Sequence, residues 1–334
     1  MITDAEMLTH LTRFLAGHRA TPEALLAEVG STFGPPLLVV ASGSVLHGFG
    51  NASSDVDLHV VVDDRRVTDF PVSSHGLGVT VDTTYFEARP VRDEAAALRA
   101  GDGVPAGAER AVWKAARSRL QRLGRLSFGY ALDGTDEWRA WQADLRPVFV
   151  DYAVRWWRTE ALRYRTAARL LADRRPLIAA VRFGDAATAA LDAYATAGGE
   201  AYIGHKWLGL KLERLGRTDL LDAYHRLLDL PTSAEQLPEY RDHAEQLVAR
   251  LTVEQPLPDD PYVTLTPAEG ATTWQVHDRV LVHRWGLRGV ELVDGDAGAD
   301  PKLAWTGQVS ALPADLRLLT EEDLVWMSVS EHRP

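Results

Sequence analysis

The sequence LLVVASGSVLHGFGNASSDVDLHVVV at residues 37–62 contains the pattern from which the architecture can be predicted. Its apolar start, residues 37–41, predicts a short strand, and the Ser-Gly-Ser that follows predicts a turn. A second strand is expected to open at Asp55, and side chains alternate between the two faces of such a strand. The apolar face carries Val56, Leu58, Val60 and Val62. Asp55, Asp57 and His59 fall on the other face, which we expect to carry the chemistry.

Asp55 and Asp57 are predicted to lie side by side on that strand. Two neighbouring carboxylates repel each other, and a hard divalent cation with oxygen ligands, usually Mg²⁺, relieves the repulsion. Gly43 lacks a Cβ, so its backbone can approach a phosphate closely. Ser44 offers a hydroxyl and an N–H group near the start of a predicted helical turn, where anions are favoured. A metal site beside a phosphate-binding turn indicates phosphoryl or nucleotidyl transfer.

The apolar strand, Gly43-Ser44, ten intervening residues and Asp55-Val56-Asp57-Leu58 together resemble a known signature, that of the DNA polymerase β-like nucleotidyltransferase superfamily. The resemblance is to its minimal and antibiotic-modifying branches in particular. This family carries a third carboxylate on a neighbouring strand, and Asp82 supplies one within the β-branched run at residues 79–86. The resemblance implies transfer of a nucleoside monophosphate from a nucleoside triphosphate (NTP) to an acceptor, with release of pyrophosphate. It covers residues 37–86 and becomes thin beyond them.

The resemblance also implies a role for each residue of the pattern. Asp55 and Asp57 would bind two Mg²⁺ ions, which Mn²⁺ could replace, and Asp82 would ligate the second ion or accept the proton of the acceptor. The catalytic and metal-binding set is therefore Asp55, Asp57 and Asp82. The predicted nucleotide-binding set is Gly43, Ser44, Ser54 and Lys206.

The run at residues 199–212 is predicted to be helical, which would place Tyr202, Lys206 and Gly209 together. A small residue beside a lysine lets a phosphate approach the ammonium group, so Lys206 is the predicted triphosphate contact. The alternative is a solvated lysine whose stem covers apolar surface. Glu200 is a candidate general base, because a helical-domain glutamate has that role in antibiotic nucleotidyltransferases.

Other polar residues are weaker candidates for contacts with metal or substrate. His47 and His59 could each touch either one, although a hydrogen-bonded structural histidine is the commoner arrangement. Four arginines surround Trp156-Trp157, namely Arg155, Arg158, Arg163 and Arg165. Most of them are expected to pair with surface acids, which leaves one or two that could reach substrate.

Composition limits the classes of function. The net charge of −11 argues against a nucleic-acid binder, because attraction to a phosphate backbone needs clustered cations. The absence of cysteine excludes disulfides, thiolate zinc sites and cysteine nucleophiles. No apolar run approaches about 18 residues, and residues 1–20 lack the pattern of a signal peptide. We therefore expect a cytoplasmic protein that does not interact with membranes.

The predicted fold class is α+β, with a nucleotidyltransferase core built from a mixed β-sheet and flanking helices. This catalytic core is expected at residues 1–133. An α-helical bundle that forms the other wall of the cleft is expected at residues 134–255, and a small β-rich C-terminal domain of unknown role at residues 256–334. Breaks between the helices are predicted at Pro147, Pro176, Gly184 and Gly198-Gly199. In the C-terminal domain the patterns predict strands at 272–277, 280–285 and 289–293, and a helix over 316–327.

The expected substrates are an NTP, foremost ATP, and a small-molecule acceptor with a hydroxyl group, such as an antibiotic or a biosynthetic intermediate. Three alternatives stay open: a protein AMP-transferase of antitoxin type, tRNA nucleotide addition, and a non-catalytic nucleotide-binding module. The net charge disfavours the second of these. The presence of all three carboxylates disfavours the third.

Overall fold

The computed structural model describes residues 2–30, 33–67, 70–100, 104, 109–277, 279–284, 290–292 and 303–333. The chain forms two compact units, each made of three segments. The first unit comprises Met1–Gly103, Arg117–Val154 and Tyr194–Arg217, and the second comprises Val104–Ala116, Arg155–Ala193 and Thr218–Pro334. The domain boundaries expected after residues 133 and 255 stay predictions.

The first unit contains a five-stranded mixed sheet. Its strands are β1 (Leu38–Ser42), β2 (Val56–Val62), β3 (Val72–Ser74), β4 (Val81–Glu87) and β5 (Tyr130–Gly134). They are arranged in the order β3-β4-β2-β1-β5, in which β2 and β4 are parallel and all other neighbours are antiparallel. The mixed sheet predicted from the sequence is confirmed.

Two N-terminal helices, α1 (Asp4–Gly17) and α2 (Pro22–Glu28), pack on the apolar face of this sheet. Each helix is preceded by a capping threonine whose hydroxyl accepts a hydrogen bond from a backbone N–H, Thr3 for α1 and Thr21 for α2. All four apolar side chains predicted for the core face of β2 are buried: Val56, Leu58, Val60 and Val62. The predicted core face is therefore confirmed.

The C-terminal part of α4 (Arg110–Phe128), which follows α3 (Ala88–Arg99), lies near the opposite face of the sheet. The Arg122 guanidinium of α4 lies 5.5 Å from the ring centroid of Phe86, and that ring lies 5.8 Å from the ring of His59. His59 is buried. Polar chemistry on this face is therefore restricted to the beginning of β2, where Asp57 is half-buried.

The break predicted at Pro147 is wrong, because α5 (Asp136–Leu171) continues through that residue. Proline removes one backbone hydrogen bond and crowds the preceding turn, which usually kinks a helix. Its neighbours Leu145, Phe149 and Tyr152 are completely buried. Their packing outweighs the loss of a single hydrogen bond, so the helix persists.

The next helix, α6 (Pro176–Ala197), begins at Pro176 and ends before Gly198-Gly199, as predicted. The break predicted at Gly184 is wrong, since that residue lies inside the helix. A Cβ at Gly184 would lie 2.5 Å from the hydroxyl oxygen of Tyr240. The glycine therefore serves close packing and does not end the helix.

The helix predicted over residues 199–212 is wrong in its first half. Gly199 has a φ angle of +97°, a conformation that favours glycine and diverts the chain from a helical path. Residues 200–204 have no regular structure, His205–Trp207 form one 3-10 turn, and α7 (Leu208–Arg214) begins only after it. Tyr202 and Lys206 therefore do not share a helix face.

The second unit contains α8 (Thr218–Leu228), α9 (Leu237–Leu251) and α10 (Ala314–Glu321), together with two three-stranded antiparallel sheets. One sheet has the order β7 (Ala271–Val276), β8 (Arg279–Arg284), β9 (Val290–Leu292). These strands match the three predicted ones where the structure describes them, and the predicted strand residues 285, 289 and 293 lie outside the described residues. The other has the order β10 (Trp305–Gln308), β6 (Tyr262–Pro267), β11 (Val325–Ser330). The α+β class with a β-rich C-terminal part is thus confirmed.

The helix predicted over residues 316–327 is wrong at its C-terminal end. Asp323 has a φ angle of +62°, which ends the helical path after α10. From Val325 onward the chain pairs with β6 along the whole length of β11. Long-range strand pairing, which a helical pattern in the sequence cannot show, decides the structure of these residues.

Candidate functional site

Asp55, Asp57 and Asp82 come together at one end of the sheet in the first unit. Asp57 lies on β2 and Asp82 on β4, and the parallel register of the two strands places them directly side by side. Asp55 immediately precedes β2. One ligand oxygen from each of the three carboxylates lies within 4.8 Å of the others. This acidic triad could bind a metal ion, and the residues that the sequence singled out for that role are brought together.

The environment of Asp57 is electrostatically unfavourable for its negative charge. Burial raises the pKa of its carboxyl group, and the carboxylates of Asp55 and Asp82 raise this pKa further. The charges of Arg125 and Lys206 act in the opposite direction and lower it in part. Three oxygen ligands whose mutual repulsion is only partly compensated fit a hard divalent cation.

The carboxyl group of Asp82 is fixed by a hydrogen bond from the edge of the sheet. The hydroxyl of Ser73 on β3 donates to Oδ1 of Asp82 at 2.5 Å. Because β3 and β4 pair antiparallel with Ser73 opposite Asp82, the strand register brings these two side chains together. Ser73 thereby orients Asp82, a role that sequence reasoning did not assign to it.

Gly43 lies against the central carboxylate of the triad. It follows β1, has a φ angle of +102°, and any Cβ there would lie 2.9 Å from Oδ2 of Asp57. Ser44 is buried, and its carbonyl oxygen accepts hydrogen bonds from the backbone N–H groups of Phe49 and Gly50. Residues 44–48 form successive turns at the place where the sequence predicted a helical turn. The structure therefore places Gly43 beside the triad and Ser44 in the turn that follows it.

Ser54 belongs to the loop that leads into the triad. Its hydroxyl oxygen accepts a hydrogen bond from the backbone N–H of Asn51 at 2.9 Å. The Asn51 side-chain oxygen in turn accepts bonds from the backbone N–H and the hydroxyl of Ser53. Ser54 thus stabilises the loop before Asp55, and its contact with a nucleotide stays a prediction.

Lys206 is exposed and lies close enough to the triad for its charge to lower the pKa of Asp57. Its ammonium group lies 5.0 Å from the ring centroid of Trp207, a distance typical of a cation–π contact. The lysine reaches this position from a 3-10 turn, not from the helix that the sequence suggested. Its binding of a triphosphate stays a prediction.

Arg125 is the cation that sequence reasoning missed. It lies in the last turn of α4. A cavity of about 50 Å³ is lined by Gly43, Asp57, Arg125 and Tyr202 among others, which leaves room for a few water molecules. The Arg125 charge lowers the pKa of both Asp57 and Tyr202. The sequence pointed to Arg125 only through its position three residues after Arg122, a spacing that places two side chains on the same side of a helix.

Tyr202 closes this cavity from the irregular segment after α6. Burial and the negative charge of Asp57 raise the pKa of its phenol to about 12, so the hydroxyl keeps its proton at neutral pH. Its ring centroid lies 4.5 Å from that of His47. The neighbouring Ile203 is in tight contact with α4, since a Cβ at Gly124 would lie 2.7 Å from Cδ1 of Ile203.

The two candidate histidines are buried and uncharged. Burial lowers the pKa of His47 to about 3, and Arg214 contributes to this shift. Burial also lowers the pKa of His59 to about 3, and the Nε2 atom of His59 lies 2.9 Å from the hydroxyl of Ser42. His59 thus has a hydrogen-bond partner inside the core, and a contact of either histidine with metal or substrate stays a prediction.

Glu200 lies in a second cavity of about 590 Å³, which His47, Phe49 and Arg214 also line. Its Oε1 atom forms an ion pair with Nε of Arg214 at 3.1 Å, and burial raises its pKa. The guanidinium of Arg214 also lies 4.3 Å from the ring centroid of Phe49. The structure thus gives Glu200 a cationic partner, and its role as a general base stays a prediction.

The arginines around Trp156-Trp157 belong to the second unit. Arg158 pairs with Glu331 at 2.8 Å, Arg163 with Glu160 at 2.8 Å, and Arg165 with Glu245 at 2.7 Å. Pairing with acids was the expectation for most of these residues, and it is confirmed for these three.

Comparisons with known proteins add little to this geometry. No family model matches the chain, and no curated protein matches it significantly. Among solved structures, a nucleotidyltransferase-like protein from Exiguobacterium sibiricum 255-15 is similar over 74% of this chain and 81% of its own. The sequence identity is 14% and the TM-score is 0.35, which is too low to support a conclusion about fold or function. Within the described residues, no helix combines the length and the hydrophobicity needed to span a bilayer.

Proposed function

We propose that this protein is a metal-dependent nucleotidyltransferase that moves a nucleoside monophosphate from an NTP to a hydroxyl group of an acceptor and releases pyrophosphate. One observation carries the proposal: Asp55, Asp57 and Asp82 converge from two parallel strands, with ligand atoms within 4.8 Å of one another. The Gly43 turn lies directly against the middle carboxylate. A cluster of carboxylates beside a tight glycine turn suits the binding of a metal–triphosphate complex.

The donor set fits Mg²⁺, which Mn²⁺ could replace, because both ions prefer carboxylate oxygens. Asp55, Asp57 and Asp82 would hold the two ions that we propose. Bound in this place, such ions would neutralise phosphate charge and would favour attack of the acceptor oxygen on the α-phosphorus. The raised pKa of Asp57 supports the assignment, since a cation would stabilise the ionised form that burial disfavours.

The chain's own residues would position the nucleotide. The backbone at Gly43 and the hydroxyl of Ser44 are proposed to bind the β- and γ-phosphates. Arg125 and Lys206, whose charges act on Asp57 from different elements, would neutralise charge on the departing pyrophosphate. Ser73 occupies Oδ1 of Asp82. The second oxygen of Asp82 is then available to ligate metal or accept the acceptor's proton.

For substrates we propose ATP and a small-molecule acceptor. The cavity of about 590 Å³ beside Glu200 has the volume typical of small-molecule sites. His47 lines this cavity and also the narrower one that contains Asp57. An acceptor in the larger cavity would therefore lie next to the proposed nucleotide site.

Label transfer tests the proposal. The purified protein is incubated with each α-³²P-labelled NTP, Mg²⁺ and a cell extract, and labelled small molecules are separated from labelled proteins. We expect labelled small molecules with the wild type and with Asp63→Asn, a matched control at an exposed aspartate one residue after β2. Asp57→Asn should lower the yield by about 100-fold or more, since it removes a charged ligand from the centre of the triad.

The distribution of the label separates the alternatives. Label on a protein, lost in Asp57→Asn, would favour the AMP-transferase of antitoxin type. If no NTP gave label or pyrophosphate release that depends on Asp57, the proposed activity would be wrong.

A further inference from the structure

We propose that the second unit contains a binding site for a small planar aromatic molecule that carries a hydrogen-bond acceptor such as a carboxylate. The site is a cavity of about 460 Å³, within the range of about 300–1,000 Å³ that is typical of small-molecule pockets. All its lining residues belong to the second unit. The proposal is therefore independent of the acidic triad and of the function proposed for it.

Four elements, α5, α6, α10 and β11, contribute to the walls of the cavity. Tyr164 and Leu171 of α5 face it at a spacing of seven residues, which corresponds to two helical turns. Ile178 contributes from α6, and Trp326 and Met327 contribute from β11. Large apolar and aromatic side chains form about half of these walls and suit the body of an organic ligand. The charged part of the lining consists of Arg163, Arg175, Arg182, Glu321, Glu322 and Asp323.

Flat aromatic and guanidinium groups surround the cavity. The guanidinium of Arg163 lies 4.4 Å from the ring centroid of Tyr164 and 5.0 Å from that of Trp326. The guanidinium of Arg182 lies 5.6 Å from the same Tyr164 ring. Both kinds of group present planar faces on which an aromatic ring can stack. The structure therefore favours a planar ligand over a branched aliphatic one.

Arginine side chains also determine which polar group the ligand needs. Each of the three that line the cavity has one acidic partner: Arg163 with Glu160 at 2.8 Å, Arg175 with Glu322 at 2.5 Å, and Arg182 with Asp185 at 2.9 Å. A guanidinium has five N–H donors and no acceptor, so one carboxylate does not use all of them. The complementary group on a ligand is an acceptor, and a carboxylate matches the fork geometry of arginine best.

The acidic partners argue against a strongly charged ligand. Because each arginine charge is balanced by an acid, the cavity does not attract a compact polyanion such as a triphosphate. An aromatic ligand with a single negative charge is the closest match to this cavity. In addition, 44% of Ile178 is exposed in the lining of this cavity, and a bound ring would remove part of that apolar surface from water.

Binding of 8-anilinonaphthalene-1-sulfonate (ANS), a fluorescent aromatic anion, tests the site. Ala167→Trp fills the cavity without removing an ion pair, because Ala167 lines it from α5. Ala249→Trp makes the same change at an exposed alanine of α9 in the same unit and is the matched control. We expect saturable binding of ANS by the wild type and the control, and an affinity at least about 10-fold lower for Ala167→Trp.

A competition experiment on the wild type does not depend on the folding of any variant. Benzoate should displace bound ANS, whereas benzylamine, which has the ring but a cationic group, should not. The proposal is overturned if the wild type does not bind ANS saturably or if Ala167→Trp, shown to be folded by its thermal transition, binds it as tightly. Displacement by benzylamine as effectively as by benzoate would overturn the assignment of an acceptor group.

Discussion

The Cβ that an alanine would place at position 43 lies 2.9 Å from the Oδ2 atom of Asp57. This distance is below van der Waals contact, so a side chain at residue 43 and the present position of the Asp57 carboxylate exclude each other. The turn after β1 and the middle acid of the triad are thus mutually dependent. Glycine at position 43 is required by the carboxylate as well as by its φ angle of +102°.

Gly43→Ala should impair both metal binding and activity. The new methyl group displaces the Asp57 carboxylate, so we expect Mn²⁺ affinity and label transfer to fall by about 10-fold or more. Gly34→Ala is the control, because Gly34 has a φ angle of +82° and no described atom lies within 4 Å of its added Cβ. Both variants lose about 1–2 kcal/mol through backbone strain. If both lost metal affinity equally, the contact with Asp57 would not be the cause.

Arg125→Ala should raise the KM for the NTP by about 10-fold or more. A charge-assisted hydrogen bond to phosphate contributes about 1.5–3 kcal/mol, which the truncated side chain cannot provide. The control is Arg117→Ala, at an exposed arginine eight residues earlier on α4. Steady-state kinetics at several salt concentrations measures the effect. An unchanged KM in Arg125→Ala would remove Arg125 from the nucleotide site.

The residues of the triad were predictable because the patterns that single them out are local. Alternation along one strand puts Asp55 and Asp57 on the same face, and the β-branched run around Asp82 identifies the neighbouring strand. The order of the strands and the parallel register of Asp57 with Asp82 are not local. The resemblance to a known family implied only that Asp82 lies on a neighbouring strand, and the order and register come from the structure.

Arg125 and Tyr202 were not predicted because distant contacts place them. The register of α4 on the sheet depends on Gly129, where a Cβ would lie 2.3 Å from Cγ1 of Val40. Tyr202 lies in a segment whose composition suggested a helix, but Gly199 ends the helical path and the ring of Tyr202 packs on His47. Periodicity in a sequence contains no information about such tertiary contacts.

Gly124→Ala should destabilise the protein although alanine is the better helix former. The substitution gains up to about 1 kcal/mol in helix propensity. Its Cβ would lie 2.7 Å from Cδ1 of Ile203 and 2.8 Å from Cζ of Phe149, and such overpacking usually costs about 1–3 kcal/mol. We therefore expect a lower urea midpoint. Gly17→Ala, at a helical glycine with no described atom within 4 Å of the added Cβ, should not lower it.

His47 should make the protein less stable in mild acid. Its pKa is lowered from 6.5 to about 3, so below pH 6.5 the unfolded chain binds a proton that the folded chain does not. The resulting stability is present above pH 6.5 and is lost as the pH falls towards 3. Between pH 7.5 and pH 5 the free energy of unfolding should fall by about 2 kcal/mol from this residue alone.

Urea unfolding at the two pH values measures this contribution. In His47→Gln, the fall in the free energy of unfolding between pH 7.5 and pH 5 should be about 2 kcal/mol smaller than in the wild type. The control His225→Gln changes an exposed histidine and should keep the wild-type pH dependence. A fall as large in His47→Gln as in the wild type would contradict the buried, uncharged state of His47.

The central claim, that Asp55, Asp57 and Asp82 form a metal site, is tested most directly by titration with Mn²⁺. Electron paramagnetic resonance of free Mn²⁺ gives the number of bound ions, and added Mg²⁺ tests whether both ions share the site. We expect the wild type and the Asp63→Asn control to bind at least one ion that Mg²⁺ displaces, and Asp57→Asn to bind about 100-fold more weakly. A wild-type protein that binds no Mn²⁺, or an Asp57→Asn variant that binds it equally well, would contradict the account.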